Sequence, residues 1–409
     1  MKNQTEQKKV VIIGGGFAGI EVARLLSKDG LAEVTLVSKN TCFQYYPNLY
    51  RLVVGATVNQ VSIPLSSIFS KKVNLIIDTY VSMDATQKTL TLKSGVVVPY
   101  DYVVMALGSE PNYFGIDGME VHSKSFLSVE KALALKAYLL QQITDSKGLS
   151  TDEAKKKLHT IIVGAGPSGT ELAGALGPFL KGEAKKAGVD PKLISIDLLD
   201  SAPRVLSSIP EKGSQLVTAQ LKKNGVTVYS NYGVNACDGD CISVTDRAST
   251  EVASGEVKTL RFEASTVIWT AGTKISTVFA IIPGVVMTEK KRVQVTPKLT
   301  LPTDDTIYIA GDGTGTPYSG LAQTAIDQGQ YLATAISNRI HGIAVADYMP
   351  KQGTFVIPVG KYWAILNHKT LVVSGLLAFI IRFIVDAKYF MSITSFSHVI
   401  TMLKKDTSA

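Results

Sequence analysis

Apolar runs of strand length alternate along this chain with segments of helical period. Val10 to Ile13 form a short apolar run that ends in glycines. The residues after Gly19 carry apolar side chains at a helical period, and AEVTLVSKN is the next strand. Strand, glycine turn, helix and strand predict the opening of a βαβ unit. KTLTLKSGVVVPYDYVVMALGS first alternates and then turns apolar throughout, which predicts a hairpin followed by a buried strand. Lys131 to Leu140 have a helical pattern and SKGLSTDEAKKK is a polar connector. A second strand–turn–helix opens at Thr160, with LISIDLLDSAPRVL as its following strand. Residues 226–269 read as short strands with turns at DGD and SGE. STVIWTAGT and DTIYIAGDGTG are two more apolar strands ending in glycine, and the second leads through a small loop into the helical LAQTAIDQGQYLATAISNRI. What recurs is a whole domain rather than a short repeat: a glycine turn and, later, a strand ending in Ala and Gly.

Gly14, Gly16 and Gly19 form G-x-G-x-x-G directly after a strand, and Gly164, Gly166 and Gly169 do so again. The first glycine allows the tight turn, the second lets backbone approach a pyrophosphate, and the third permits close packing of helix on strand. Phosphates then sit at the helix N-terminus, where free N–H groups and the dipole favour anions. An acidic residue ending the following strand binds ribose hydroxyls. After the second turn that residue is Asp200, whose charge favours NADH over NADPH, with Arg204 nearby. After the first turn the strand ends at Ser38 and Lys39, and Ser38 offers a weaker ribose partner. Two such sites suggest two dinucleotides: a nicotinamide as hydride donor and a flavin as acceptor, FAD and NADH.

The chain has 409 residues, 45% of them apolar, enough for two or three domains with real cores. Mean hydropathy is slightly positive, which directs attention to a membrane contact. Net charge is +8, compatible with anionic cofactors or an anionic membrane surface. No basic run interleaved with aromatics is present, so nucleic acid is not an expected partner. Three cysteines make no disulfide framework and suit a reducing compartment. MKNQTEQKK has no apolar core of a signal peptide, so export is not expected.

Four landmarks stand in order: Gly14–Gly19, MALGS (105–109), Gly164–Gly169 with WTAGT (269–273), and IYIAGDGTG (307–315). Together they resemble the two-dinucleotide-domain flavoprotein reductases. That resemblance implies an α/β fold of two Rossmann-like dinucleotide-binding domains. The FAD domain is discontinuous (1–118 and 276–345), the NADH domain is inserted (119–275), and a C-terminal membrane-associating helical segment follows (346–409). Implied FAD ligands are Gly14, Gly16, Phe17, Ala18, Gly19, Ser38, Lys39, Val81, Ala106, Gly108, Gly311, Asp312 and Ala322, with Asp312 on the ribityl chain. Implied NADH ligands are Gly164, Gly166, Pro167, Ser168, Gly169, Glu171, Asp200, Ala271 and Gly272. Within the superfamily, the chain resembles type II NADH:quinone oxidoreductase. FQYYPNLYRLVVG resembles that family's aromatic–proline segment, and Glu171 in GTELAG matches its glutamate near the flavin. LAQTAIDQG resembles its A-Q-x-A-x-Q quinone segment, with Gln323 as the first glutamine, Asp327 at the last position and Gln328 one residue later. Arg382 falls where relatives carry a basic residue near the quinone entrance. The implied quinone residues are therefore Gln323, Asp327 and Arg382. Glu171 is the candidate for proton handling, and Gln323 for bonding a quinone carbonyl.

Leu371 to Val385 are apolar except at Ser374, Gly375 and Arg382. As a helix that run would span about 22 Å, short of a hydrocarbon core of about 30 Å. Val372, Leu376, Phe379, Phe383, Ala387 and Phe390 recur at helical steps. Lys361, Lys369, Arg382, Lys388, Lys404 and Lys405 face one acid, Asp386. A basic, aromatic amphipathic segment fits the membrane interface, and the same residues would also serve a homodimer interface or pack on the catalytic core. The expectation is a peripheral enzyme on the cytoplasmic face of the inner or cell membrane. Its partners are NADH, a quinone and the lipid surface. Cys42 lies where thiol-dependent relatives place a redox cysteine, without a nearby second cysteine. Cys237 and Cys241 flank DGD without further metal ligands, so no metal is expected. The alternatives are a soluble reductase feeding a small redox protein, a sulfide:quinone reductase, and a signalling flavoprotein. Asp200 and the second turn argue for NADH chemistry over the sulfide enzyme.

Overall fold

The computed structural model describes residues 7–30, 32–69, 72–248 and 259–403. The expected SGE turn and the tail lysines Lys404 and Lys405 lie outside the described residues. The chain forms two compact units. The first gathers residues 1–44, 62–110 and 273–353; the second gathers 45–61, 111–272 and 354–409.

In the first unit a five-stranded parallel sheet runs in the order Ile307–Ile309, Tyr102–Met105, Lys8–Ile13, Ala32–Ser38, Val73–Ile77. Its strands are apolar runs because both faces are covered: Val10, Val11, Ile12, Val103, Val104 and Met105 are all essentially inaccessible. Helix Phe17–Asp29 makes the crossover between Lys8–Ile13 and Ala32–Ser38, and helix Ala322–Ile340 packs on it. Gly329 allows that approach, since a Cβ there would stand 2.7 Å from the Ala18 carbonyl oxygen and from Glu21 Cβ. The hairpin expected in KTLTLKSGVVVP is Thr89–Leu92 against Val97–Pro99.

The second unit has a four-stranded parallel sheet in the order Val226–Ser230, Ser195–Asp200, His159–Val163, Thr266–Trp269. Helix Pro167–Lys186 follows His159–Val163 as the crossover. Two further segments join this unit's core. Leu49, Leu52 and Val53 pack in one cluster with Leu172 and Leu176, as do Ile357, Val359 and Ile365. Gly174 permits the second contact, because a Cβ there would lie 2.9 Å from Val359 C and Gly360 N. Asn224 Nδ2 ties both backbones, donating to the Gly174 and Val359 carbonyls at 2.9 and 3.2 Å.

The tail differs from a single apolar helix. Leu371–Gly375 is the edge of an antiparallel sheet with Phe355–Pro358 and Ala364–His368, and the helix starts only at Leu376. β-branched Val372 and Val373 favour the strand. Gly375, at φ +89°, supplies the left-handed corner between strand and helix. Among the described residues no helix is long and apolar enough to cross a membrane.

Candidate functional site

In the first unit the glycine turn has the geometry its spacing implies. Gly14 sits at φ +115°, and a Cβ there would be 2.1 Å from the Ala106 carbonyl oxygen. At Gly19 a Cβ would meet the Gly14 carbonyl oxygen at 1.9 Å. At Gly16 it would meet nothing within 4 Å. Gly16 is the N-cap of helix Phe17–Asp29 and offers no side-chain cap. Helices Val129–Asp145 and Thr151–Lys157, by contrast, are capped by Ser128 and Ser150, a contact worth about 1 kcal/mol. The cradle at Gly16 is thus open where a pyrophosphate would approach, with N–H groups of the first turn uncapped.

Around that cradle, Phe17 and Ala18 are buried, Ala106 lines the turn, and Gly108 stands at φ +69° with open space beside it. Ser38 is 4% exposed and its hydroxyl is engaged locally, donating to Asn40 O at 2.8 Å and accepting from Asn40 N at 3.2 Å. One acceptor lone pair remains to it. Lys39 is exposed, and so is Val81 on strand Tyr80–Asp84. The Gly311–Asp312 turn is held from three sides. Ser109 Oγ donates to Asp312 Oδ2 at 2.6 Å, Arg292 donates to the Asp312 carbonyl, and Gly311 N donates to Gln328 Oε1 at 2.7 Å.

Gln328, fully buried, also bonds Thr314 and Thr316 through Nε2 at 2.9 and 3.0 Å. It braces the turn from beneath. Asp327 lies on another face of helix Ala322–Ile340 and accepts from the exposed Gln323 Nε2 at 3.1 Å. The i,i+4 spacing brings Gln323 and Asp327 together and leaves Gln328 to the core. Ala322 opens this helix behind Leu321.

The second unit repeats the cradle. Gly164 has φ +108° and a Cβ there would stand 2.5 Å from Ala271 Cα. At Gly169 it would stand 1.9 Å from the Gly164 carbonyl oxygen, and at Gly166 nothing lies within 4 Å. Gly166 caps helix Pro167–Lys186 without a side chain, and Pro167 and Ser168 are exposed at its mouth. Asp200 accepts from Ala165 N at 2.5 Å and from Ala202 N at 2.7 Å, one bond per oxygen, so lone pairs remain for hydroxyls. Arg204 is turned away from this duty. Its guanidinium donates to Ile209 O, Ser214 Oγ and Ser207 O at 2.6, 2.7 and 2.9 Å. Gly272 follows Ala271, and a Cβ on it would press Phe114 Cζ at 2.7 Å.

The same unit buries a charged cluster. Glu171, one turn into helix Pro167–Lys186, is 7% exposed and makes no side-chain hydrogen bond or ion pair among the described residues. Burial pushes its carboxyl up to about 8; Arg382 opposes this and Asp386 adds to it. Arg382 is not exposed as Lys361, Lys369 and Lys388 are: its side chain is 15% exposed. Arg382 Nε donates to Asp386 at 3.1 Å, Nη1 to Val356 O at 2.9 Å and Nη2 to Asn48 Oδ1 at 3.3 Å. Tyr45 hydroxyl donates to Asp386 Oδ1 at 2.6 Å. Burial, and then the Asp386 charge, raise the Tyr45 phenol; burial, and then Glu171, raise that of Tyr50. Removing one partner of a buried ion pair costs about 3–5 kcal/mol. The sequence marks Asp386 only as the one acid of a basic tail, and Tyr45 and Tyr50 only as part of the aromatic–proline segment; none of the three was expected in the site. The 382/386 spacing was the readable signal for one of them.

Cys42, Cys237 and Cys241 are all free thiols. Cys237 is buried and belongs to a core cluster, while Cys241 starts the next strand.

The sequence is 28% identical over 400 residues to the type II NADH:quinone oxidoreductase Ndh of Mycobacterium tuberculosis, covering 93% of this chain and 84% of that protein. The fold matches that of NDH2 from Plasmodium falciparum, solved in complex with NADH, at a TM-score of 0.86 and 18% identity, with 97% of each chain covered. It matches the sulfide:quinone oxidoreductase of Aquifex aeolicus at a TM-score of 0.76 and 22% identity, covering 94% of this chain and 90% of that one. Residues 8–329, spanning both glycine cradles, match the pyridine nucleotide-disulphide oxidoreductase family, and the chain belongs to that family.

Proposed function

We propose that the protein is an FAD enzyme that oxidises NADH and reduces a quinone at a membrane surface. The observation that carries this is the pair of open glycine cradles, one in each unit, at Gly16 and Gly166. The name carried by the mycobacterial relative supports the choice of quinone as acceptor. Bound FAD supplies two-electron chemistry between a hydride donor and a quinone.

In this reading the first unit holds FAD. Backbone N–H groups of Phe17 and Ala18 meet its pyrophosphate, and Asp312, oriented by Ser109, meets the ribityl hydroxyls. The second unit holds NADH on the helix behind Gly166, with Asp200 accepting from the adenosine ribose. Arg204 spends three of its five N–H groups on the Ile209 and Ser207 carbonyls and on Ser214, and the NADH preference rests on the Asp200 carboxylate. Gln323, with one amide N–H on Asp327, keeps a second for a quinone carbonyl. Glu171, neutral below about pH 8, is the proton donor to the reduced quinone.

Leu376, Leu377, Ile380, Phe383, Ile384 and Met391 are exposed on the 376–393 helix. They form the surface that enters the lipid interface on the cytoplasmic side; a homodimer is the other use of such a face. The test is anaerobic stopped-flow mixing. NADH should bleach the flavin absorbance, and a short-chain ubiquinone or menaquinone should restore it rapidly. Slow return with quinone and fast return with a small redox protein would replace this reading with a soluble reductase.

A further inference from the structure

Helix 376–393 brings one cation to two buried carboxylates. The cation is Arg382; the carboxylates are Asp386, one turn further along, and Glu171 on helix 167–186. Asp386 is 6% exposed and Glu171 7% exposed. Only Asp386 has the guanidinium within hydrogen-bond distance, at 3.1 Å. It is fastened on its other side by the Tyr45 hydroxyl at 2.6 Å, and the Tyr45 ring is packed edge-on to Phe390 with centroids 4.7 Å apart. The rest of the guanidinium is spent on Val356 O and Asn48 Oδ1, with Pro47 O at 3.5 Å. The other titratable or charged groups acting on this cluster are Tyr45, Tyr50 and Arg51 from residues 45–53 and Tyr389 from the tail helix.

We propose that Asp386 is a positioning residue: it claims the Arg382 guanidinium and so leaves Glu171 without a partner cation, free to act as the acid of quinone reduction. This rests on the function proposed above. The overall balance is NADH + quinone + H⁺ → NAD⁺ + quinol. The hydride carries both electrons and one proton. Glu171 delivers the second proton: its O–H bond breaks, an O–H bond forms on the quinone oxygen, and the carboxylate left behind is reprotonated from water. A Glu171 paired to Arg382 would be ionised and would have no proton to give. Asp386, held by Tyr45, prevents that pairing.

The test reads Glu171 directly by infrared titration of the FAD-loaded full-length protein, without NADH or quinone. The carboxylic C=O band that disappears in Glu171→Gln is followed against pH. In Asp386→Asn its midpoint should fall by about 1–2 pH units, the size of shift an opposite charge produces. In Asp386→Asn/Arg382→Gln, where no cation remains to pair, it should return to the wild-type value or above. Asp386→Glu, which keeps the charge, should stay within about half a unit of wild type. The alkaline limb of quinone reduction should move with the band, while flavin reduction by NADH should not. An unmoved midpoint in a folded, yellow Asp386→Asn protein overturns the proposal.

If that variant does not fold, wild-type protein carrying [4-13C]aspartate serves. The band titrating near pH 8 must be unaffected by the label, and an aspartate band titrating beside it would show that Asp386 is not the charge holding Arg382. Neither infrared experiment requires turnover. A wild-type enzyme inert toward every quinone would sink the proposed function and leave the charge assignment standing on its own measurement.

Discussion

At the scale of the residue, the two glycine cradles separate space needed by the fold from space kept for a ligand. Gly169 faces its own turn, so Gly169→Ala should not yield folded protein, checked by soluble expression and thermal unfolding. Gly166 faces nothing, and at φ −71° its backbone suits any residue. Gly166→Val should therefore fold with a melting temperature close to wild type, yet raise the KM for NADH at least about tenfold, equivalent to roughly 1.4 kcal/mol. A normal KM in that variant would remove the pyrophosphate from this turn. Asp200→Ala should weaken NADH more than NADPH, measured as kcat/KM for each, because the carboxylate accepts from a free hydroxyl and repels a phosphate. Equal losses would reduce Asp200 to the backbone bonds it makes with Ala165 and Ala202.

Both cradles were legible because their logic is local: three glycines, one strand and one helix lie within residues 8–29 in the first and 159–186 in the second. The Tyr45–Asp386 bond was not, since its partners are 341 positions apart and a lone acid in a basic tail looks solvated. Gln328 shows a finer limit. The family pattern drew the eye to Asp327, and only the helix rotation shows that the next residue is the one beneath the Gly311 turn.

At the scale of the element, the tail helix has two faces with different business. Its inward face carries Ala378, Arg382, Asp386 and Phe390, at steps of four. Phe390 was expected on the same stripe as Leu376 and Phe383, yet it is fully buried while those two are exposed. Hydropathy alone does not separate the faces, because both are apolar; the ion pair marks the inner one. Ile380→Glu/Ile384→Glu, on the outer face, should leave the fold intact and sharply reduce flotation with anionic vesicles. Undiminished flotation would move membrane contact elsewhere.

A second element-level device joins strands His159–Val163, Ser195–Asp200 and Thr259–Glu263. His159 Nδ1 lies 2.7 Å from the Glu263 carbonyl and Nε2 lies 3.0 Å from Asp197 Oδ2. Both partners can only accept, so both ring nitrogens carry protons. Burial alone would lower this imidazole, but the bond and charge of Asp197 and the Glu263 carbonyl outweigh it, and the folded-state value is raised. The stabilisation is then complete below the unfolded value of about 6.5 and is lost as pH climbs through the raised folded value. Urea unfolding should show the difference between wild type and His159→Gln largest near pH 6 and shrinking above that range. A difference that grew with pH would mean a neutral ring.

At the scale of the whole molecule, the α/β class and the two parallel sheets were visible in the alternation of strand, turn and helix. The membership of residues 45–61 and 354–403 was not, because their apolar side chains match the core of either unit equally well in composition. Only packing assigns Leu49, Leu52 and Ile357 to the cluster around Leu172. Truncation after residue 353 should therefore strip the second unit of core side chains and give insoluble protein, where a mere surface anchor would leave a soluble, yellow enzyme. The backbone passes between the units at 44/45, 61/62, 110/111, 272/273 and 353/354. During synthesis from the N-terminus, then, no early stretch is self-sufficient. The first cradle, complete at Gly19, waits for the Gly311 turn of its own unit, and the core of the second unit waits for Ile357, Val359 and Ile365. Newborn protein therefore carries a first sheet of four strands whose Tyr102–Met105 edge stays unpaired until Ile307–Ile309 is made, and a cell that makes it has reason to shield that edge in the meantime.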